Sequence, residues 1–337
     1  MPTINDVAAL AGVSATTAKR VLREPERVAP ATLQRVRKAI EELHYVPDER
    51  AGALRRGRNR SVGLILGSIV EPFFASLMRV ISYTLRQHGY TVLVADSEYE
   101  AELELQTLKL FHGNRVSGLI IRPGYGSPNR DYLLRMRDHG THIVEIDYHY
   151  PDSPFSWVML DNPRCIREGV RYLYDLGHRR IAALGSYDPI INPEDRSHTF
   201  PLAMRELGLD VPDEYRRVIR LTEDDAYRLT HDLMRLDAPP TALFGLNGSS
   251  TLGAFRALQE LGLRIPQDVS LLSFDDYTWM QVVRPQIDVF AQPVDDMGRL
   301  AARLIVSEVE QGGEPQVTHN VFPGELLKRG SCAAPRD

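Results

Sequence analysis

Cysteine and tryptophan are scarce in this 337-residue chain, two of each. Cys165 and Cys332 are too few for a disulfide scaffold or a zinc ribbon. No uninterrupted apolar run approaches the roughly 18 residues that span a bilayer, so no membrane partner is expected. The start, Met-Pro-Thr-Ile-Asn-Asp, has neither the basic opening nor the apolar stretch of a signal peptide, and a cytoplasmic location is the expectation. There is no Walker loop, no Gly-x-Ser-x-Gly elbow, no His-Glu-x-x-His and no dinucleotide-binding glycine fingerprint. An enzyme is therefore not expected, and neither a cofactor nor a metal is called for. With 43% hydrophobic and 25% charged residues, the chain can bury a core of ordinary size.

A strong charge of one sign is also missing overall, the net being −5, but the average hides an asymmetry. Residues 1–60 hold 12 Lys and Arg against 7 Asp and Glu, whereas the remainder holds 28 against 38. A small basic head on a large acidic body points to a polyanionic partner for the head alone.

Within that head, Thr3-Ile-Asn-Asp6 reads as a capped helix start, and Ile4, Val7, Ala8 and Leu10-Ala11 follow at helical spacing. Gly12 ends that helix, and Ser14 caps a second one from Ala15 to Leu22. Small Ala8 and Gly12 would let the two helices cross closely. Pro30 opens a third helix near Ala31 to His44, whose Leu33, Val36, Ala39-Ile40 and Leu43 close a small core. Helix, Ala-Gly-Val-Ser, helix is a helix-turn-helix pattern, although a plain three-helix cap with a solvated basic surface has the same spacing. The second helix decides in favour of DNA. Ala15, Thr16, Lys19, Arg20 and Arg23 are not all needed for folding, and a recognition helix turns such residues to the major groove. Arg20 suits a bidentate bond to guanine, and Lys19 and Arg23 suit phosphates.

Thr3 to Ser14, then Thr17-Ala-Lys-Arg-Val-Leu22, Val36 to Leu43, Tyr45-Val-Pro47 and Leu54-Arg55 together resemble the head of the lactose-repressor (LacI/GalR) family of bacterial transcription regulators. The resemblance implies that Ala15, Thr16 and Arg20 read bases. It also implies a DNA-contacting set of Thr3, Ser14, Ala15, Thr16, Thr17, Lys19, Arg20 and Arg23. Residues 46–60 carry Pro47, Gly52, Gly57 and five arginines, which would suit a flexible charged linker. The resemblance implies instead a hinge that folds on DNA, wedges Leu54 into the minor groove and is flanked by Arg55. The chain departs from the family at Ala18-Lys19, at Arg23 and at Ala29, which stands where a serine usually caps the third helix.

From Ser61 short apolar runs alternate with amphipathic stretches. Strands are predicted at Val62–Leu66, Thr91–Ala95, Gly118–Ile121, His142–Ile146, Trp157–Leu160, Arg180–Leu184, Val218-Ile219, Ala242–Phe244 and Val269–Ser273. Helices are predicted at Phe73–His88, Glu102–Phe111 and Ile166–Leu176. This rhythm predicts doubly wound α/β layers, in two similar halves divided near 161. Ligands of such folds bind beyond the carboxyl ends of the strands. That places Glu71 to Phe74, Asp147, Asp161-Asn162, Arg196, Asn247 and Asp275-Asp276 at a common cleft. Each has a plainer reading: the phenylalanines as core anchors, and Asp161, Asn162 and Asp276 as caps or turn residues. The Asp275-Asp276 pair lacks the histidine or further carboxylate cluster a metal site would need. His178 reads as structural, its imidazole suiting a helix carboxyl end.

Pro72-Phe-Phe74, Leu176 to Ile181, Pro240 to Phe244, Leu252-Gly-Ala, Pro266 to Ser270, Phe274-Asp-Asp276 and Gln292-Pro293 extend the same family resemblance over the body. The implied fold is a helix-turn-helix headpiece at 1–46 and a hinge at 47–60. An effector-binding and dimerisation core similar to periplasmic binding proteins follows at 61–337. Its first subdomain would cover about 61–161 and 290–322, its second about 162–289 and 323–337. The implied effector site is Phe73, Phe74, Asp147, Arg196, Leu221, Asn247 and Asp275, with Arg196 and Asp275 as the polar clamp on a small molecule, a sugar or sugar derivative. Glu71, Thr199, Leu221 and Gly248 depart from the family's usual residues. The expected protein is a repressor that binds a pseudo-palindromic operator in double-stranded DNA as a homodimer or tetramer. The alternatives are a solute-binding protein and an α/β enzyme such as an aspartate-based hydrolase, neither with a DNA role.

Overall fold

Helix α1 (Ile4–Ala11) begins where Thr3 and Asp6 satisfy each other's backbone. The Asp6 carboxylate accepts from the Thr3 N–H at 2.7 Å, and the Thr3 hydroxyl accepts from the Asp6 N–H. The computed structural model describes residues 2–45, 60–126, 128–185, 196–215, 222–312 and 316–336. The chain divides into two units, Met1–Asn59 and Arg60–Asp337.

In the first unit α1 ends at Gly12, whose φ of 64° is the left-handed conformation that only glycine adopts without strain. Ser14 then caps α2 (Ala15–Arg23) by accepting from the Thr17 N–H at 3.1 Å. Helix α3 (Pro30–Glu42) starts on Pro30, with no side-chain cap from Ala29. Val7, Ala8, Ala11, Ala18, Val21, Val36 and Ala39 form the core, with Tyr45 packed against it. Two expectations change here. Gly12 is exposed and serves as a cap, not as a crossing point; small Ala8, Ala11 and Ala18 allow the close approach. Leu10 and Leu22 lie on the exposed side of their helices.

The second unit holds two sheets. The strands and helices of its first half are β1 (Ser61–Leu66), α4 (Pro72–Gln87), β2 (Thr91–Asp96), α5 (Ala101–Gly113), β3 (Gly118–Ile121), α6 (Arg130–Asp138), β4 (His142–Ile146) and β5 (Ser156–Leu160). The second half continues with α7 (Asn162–Asp175), β6 (Ile181–Leu184), α8 (Arg196–Glu206), α9 (Glu223–Met234), β7 (Ala242–Gly245), α10 (Gly248–Glu260), β8 (Ser270–Phe274), α11 (Thr278–Val282) and β9 (Asp288–Ala291). Then come α12 (Val294–Gln311), β10 (His319–Phe322) and β11 (Glu325–Leu327). The first sheet runs β10-β5-β4-β3-β1-β2, all parallel. The second runs β11-β9-β8-β7-β6, with only β11 antiparallel.

The chain therefore passes between halves after Leu160, after Ala291 and after Phe322. Residues 290 and 291, expected in the first half, lie in the second sheet. Their strand pairs with β8 and β11, and only the following helix α12 returns to pack on α4. Arg60, expected in the linker, belongs to the second unit: its carbonyl accepts from Thr91 N–H at 2.8 Å, extending the β1–β2 ladder by one residue. The strand expected at Val218-Ile219 lies outside the described residues. The apolar pattern does not reveal three of the strands. β10 and β11 are polar, half-exposed edge strands without an apolar run. β9 opens on buried Asp288, which accepts from the N–H groups of Arg329, Gly330 and Ser331 and from Tyr172 Oη, and so fastens the C-terminal segment.

His178 is structural, but not through a helix dipole. Nδ1 pairs with Thr241 Oγ1 at 2.8 Å, and Nε2 with Ser270 Oγ and the Ala333 carbonyl at 3.0 and 2.9 Å. Burial lowers its pKa, which favours the neutral ring, against a smaller opposing effect of the Ala333 carbonyl. Among the described residues, no helix is long and apolar enough to cross a membrane.

Candidate functional site

The basic helix of the head and the cleft of the core are separate features. On α2, Thr16 and Arg20 stand four residues apart and both are exposed, one helical turn on a shared face. Lys19 is half-buried. Ala15 is half-buried and packs against the head core. Thr3, Ser14 and Thr17 are engaged in caps, with Ser14 Oγ and Thr17 Oγ1 2.9 Å apart. The side chain of Arg23, together with Leu54, Arg55 and Leu221, lies outside the described residues.

In the core, the carboxyl ends of the strands converge on one cavity of about 80 Å³. Phe73, Phe74, Asp147, Arg196, Asn247 and Asp275 all line it. Phe73 and Phe74, at the start of α4, are buried and meet edge to face at 4.9 Å. They are thus both core anchors and part of the cavity wall. Asn247 follows β7 and caps α10, accepting from the Ser250 N–H at 2.7 Å.

Arg196, at the start of α8, is held on three sides. Nε donates to Asn162 Oδ1 and Nη1 to the Leu246 carbonyl, each at 2.8 Å, and the guanidinium lies 3.7 Å from the centre of the Phe274 ring. Asp275 is buried after β8 and accepts from Gln292 Nε2 at 2.6 Å. Burial pushes its carboxyl up, against the relief from nearby Arg196 and Gln292. Asp161 and Asp276 follow their plainer readings. Asp161 caps α7, and Asp276 makes a two-pronged ion pair with Arg329 at 2.6 and 2.7 Å.

The opposite wall is absent from the sequence reading. Arg122, which follows β3, is almost completely buried, with its guanidinium 4.1, 4.9 and 5.1 Å from the ring centres of Tyr125, Tyr99 and Tyr148. It also donates to the Pro123 carbonyl at 2.8 Å and approaches Asp147 at 3.5 Å. Buried Glu104 braces this loop, accepting from the Gly124 N–H at 2.7 Å and from Asn129 Nδ2 at 2.8 Å. The signal was available: Arg122 and Tyr148 stand at the same carboxyl ends that singled out Asp147 and Asp275.

Glu71 completes the cleft. It is half-buried at the position before α4 but makes no side-chain cap. Burial raises its pKa to about 7, reinforced by Asp275 and Asp147 and opposed less strongly by Arg196 and Arg122. The cleft therefore combines two guanidinium groups, three carboxyls and five aromatic rings, a set able to share hydrogen bonds with hydroxyls and to cover an apolar face. Among the described residues, no three histidine, cysteine or acidic side chains are grouped to hold a metal.

Gly248 explains one departure from the expected pattern. A Cβ there would run into the Tyr277 ring, so the aspartate common at this position has no room.

Residues 3–48 match the model of the bacterial regulatory proteins of the lacI family, and residues 170–332 that of the periplasmic binding protein-like domain. The chain is 30% identical to the HTH-type transcriptional repressor PurR of Serratia proteamaculans, over 99% of its own length and 97% of the relative. The structure of the transcriptional regulator CelR in complex with cellobiose is 26% identical, with a TM-score of 0.72 over 98% of this chain and 100% of that one. The lac repressor dimer bound to operator and an anti-inducer shares the fold, with a TM-score of 0.84 at 22% identity over 99% of each chain.

Proposed function

The chain belongs to the lacI family of bacterial regulatory proteins and is a DNA-binding transcriptional repressor with a ligand-binding core, not an enzyme; on that premise, we propose how its particular residues divide the work. A headpiece over 1–46 and a hinge over 47–59 contact DNA, and the core over 60–337 binds the effector. The protein acts in the cytoplasm as a homodimer on a pseudo-palindromic operator, two copies of α2 entering successive major grooves. Exposed Arg20 and Thr16 read base edges, Lys19 and Arg23 meet phosphates, and Leu54 with Arg55 engages the minor groove. The effector is a carbohydrate held by Arg196, Asp275, Asp147 and Asn247 beneath Phe73 and Phe74.

One observation supports the effector reading above others. Six side chains drawn from separate strand ends and helix starts converge on a single polar and aromatic cavity. At about 80 Å³ it is smaller than the cavity of about 150 Å³ that admits benzene. We infer that the surrounding side chains or the two halves move as a sugar ring enters. The effector controls the repressor through its differential affinity for the resulting states.

The test is selection from a random duplex pool with purified protein, followed by titration of the recovered site with sugars. A pseudo-palindrome whose affinity falls steeply with salt, and shifts with a sugar, is the expected result. Enrichment of no sequence, with or without sugars, would overturn it.

A further inference from the structure

We propose that the effector is an amino sugar, and that Glu71 receives its protonated amine. The inference rests on the carbohydrate reading above and specifies the ligand's charge.

Most polar groups of the cleft are already engaged. Arg196 is taken up by Asn162, the Leu246 carbonyl and the face of Phe274. Arg122 is taken up by Asp147, the Pro123 carbonyl and three tyrosine rings. Neither guanidinium is bonded to Glu71. Among the described residues, the Glu71 carboxyl accepts no hydrogen bond, and it makes no cap bond to α4. Gln292 adds a second idle acceptor. Its Nε2 is committed to Asp275, which fixes the amide's orientation. Its buried Oε1 has no partner among the described residues. Two acceptors that line the cleft, the Glu71 carboxyl and Gln292 Oε1, are thus open to donors of the ligand.

Charge narrows this further. The charged and titratable groups facing Glu71 are the Asp275 and Asp147 carboxyls, which raise its pKa, and the Arg196 and Arg122 guanidinium groups, which lower it. Tyr99 and Tyr277, which also face it, are pushed far up and stay neutral. The cleft lining places three carboxyls against two guanidinium groups, which favours a positive charge beside Glu71, and below about pH 7 the carboxyl meets this by keeping a proton. A ligand ammonium supplies the same charge with three N–H donors. It displaces that proton, which leaves to solvent. A neutral hydroxyl at the same place donates but leaves the carboxylate repulsion uncompensated.

Calorimetry of the full-length protein tests this with matched probes: glucosamine against glucose, galactosamine against galactose and mannosamine against mannose. Titrations in buffers of different ionisation heat, at about pH 6 and about pH 7.5, count the protons released. At least one amino sugar should bind about tenfold more tightly than its parent at neutral pH. It should release a proton at the lower pH and less at the higher. Glu71→Gln should remove both the preference and the proton release. Glu71→Asn is the second variant, and the proton count in the unmodified protein needs no variant at all. Parent sugars binding as tightly as their amino forms, or amino sugars binding without proton release, overturn the inference and leave the carbohydrate reading standing. Binding of neither series to any of the three proteins overturns the carbohydrate reading on which it rests.

Discussion

Asp147 and Asp275 occupy equivalent positions in the two halves of the core. Each follows a strand (β4 or β8) with φ in the left-handed region, at 67° and 68°. Each donates its N–H to the next strand over, Asp147 to the Val158 carbonyl at 3.0 Å and Asp275 to the Phe290 carbonyl at 2.9 Å. The turn ends both strands at the cleft and delivers a carboxylate to each wall. Aspartate is among the few residues that tolerate this conformation, so one residue type serves both the turn and the site.

That dual role separates backbone from side chain by mutation. Asp147→Gly relieves the left-handed strain but loosens the unfolded chain, and the two effects are each about 1 kcal/mol. Asp147→Gly also removes the carboxylate beside buried Arg122, a cost that Asp147→Val shares, and the response to effector is lost. Asp147→Val keeps the strain, adds β-branching and should cost about 1–2 kcal/mol more. Urea midpoints of the two variants check this; equal midpoints refute the left-handed argument.

How legible was all this in the sequence? The alternation of apolar runs located most of the parallel strands, because strands buried on both faces have no polar register to confuse. The rule that ligands sit at carboxyl strand ends located Asp147 and Asp275 for the same reason. What stayed hidden was set by partners distant in the chain. Arg122 reads as an ordinary surface arginine until Tyr99, Tyr125 and Tyr148 close around it. Asp288 opens an otherwise apolar strand, and only the N–H groups of 329–331 show why it is buried. His178 reads as structural from its setting, but its partners are 63 to 155 residues away.

Buried acids and His178 set opposite limits on the pH range of stability. Burial raises Glu145 to about 8, against partial relief from the Ser153 hydroxyl and the Tyr150 N–H. The folded state then holds a proton that the unfolded state gives up, so stability falls as pH rises from about 4.5 to about 8. Glu71 adds to the fall up to about 7. The lowered pKa of His178 acts the other way, costing stability as pH falls through its unfolded value of about 6.5. Glu145→Gln should flatten the alkaline side by a few kcal/mol, on the order of 1.4 kcal/mol for each tenfold difference in proton affinity between the folded and unfolded chain. Chemical denaturation across pH, with and without the substitution, reads this; parallel profiles would show that Glu145 does not carry the effect.

Gly248 makes a steric prediction. Gly248→Ala forces the Tyr277 ring to move and should cost about 1–3 kcal/mol, as overpacked sites do. Tyr277→Ala leaves the space a side chain needs, so the double variant should lose less than the sum of the single changes. Additive losses would place the strain somewhere other than this contact.

In the head, Arg20 is exposed on α2 and free of the caps that occupy Ser14 and Thr17. Arg20→Ala should weaken specific DNA binding by about 1–3 kcal/mol and relax the preference at one base position. Ser14→Ala acts differently: it removes the cap of α2 and should lower the stability of the head by about 1 kcal/mol, weakening all DNA sequences alike. Affinities for a selected operator and its single-base variants distinguish them. An unchanged base preference in Arg20→Ala removes this residue from the reading set.

Arg196 is the residue whose loss should uncouple the cleft from the head. Its guanidinium joins the start of α7 through Asn162, the end of β7 through the Leu246 carbonyl and the end of β8 through Phe274. Truncation to alanine leaves two acceptors unpaired at the cleft and should cost about 1–3 kcal/mol of core stability. The DNA-contacting residues are untouched, so operator affinity without effector should stay nearly intact while the effector's influence disappears. Arg196→Lys keeps the charge but not the planar fork, and should retain only part of the response. Operator titrations with and without effector, run beside urea denaturation, separate a lost response from a lost fold. Loss of operator binding together with a normal ligand response would falsify this role for Arg196.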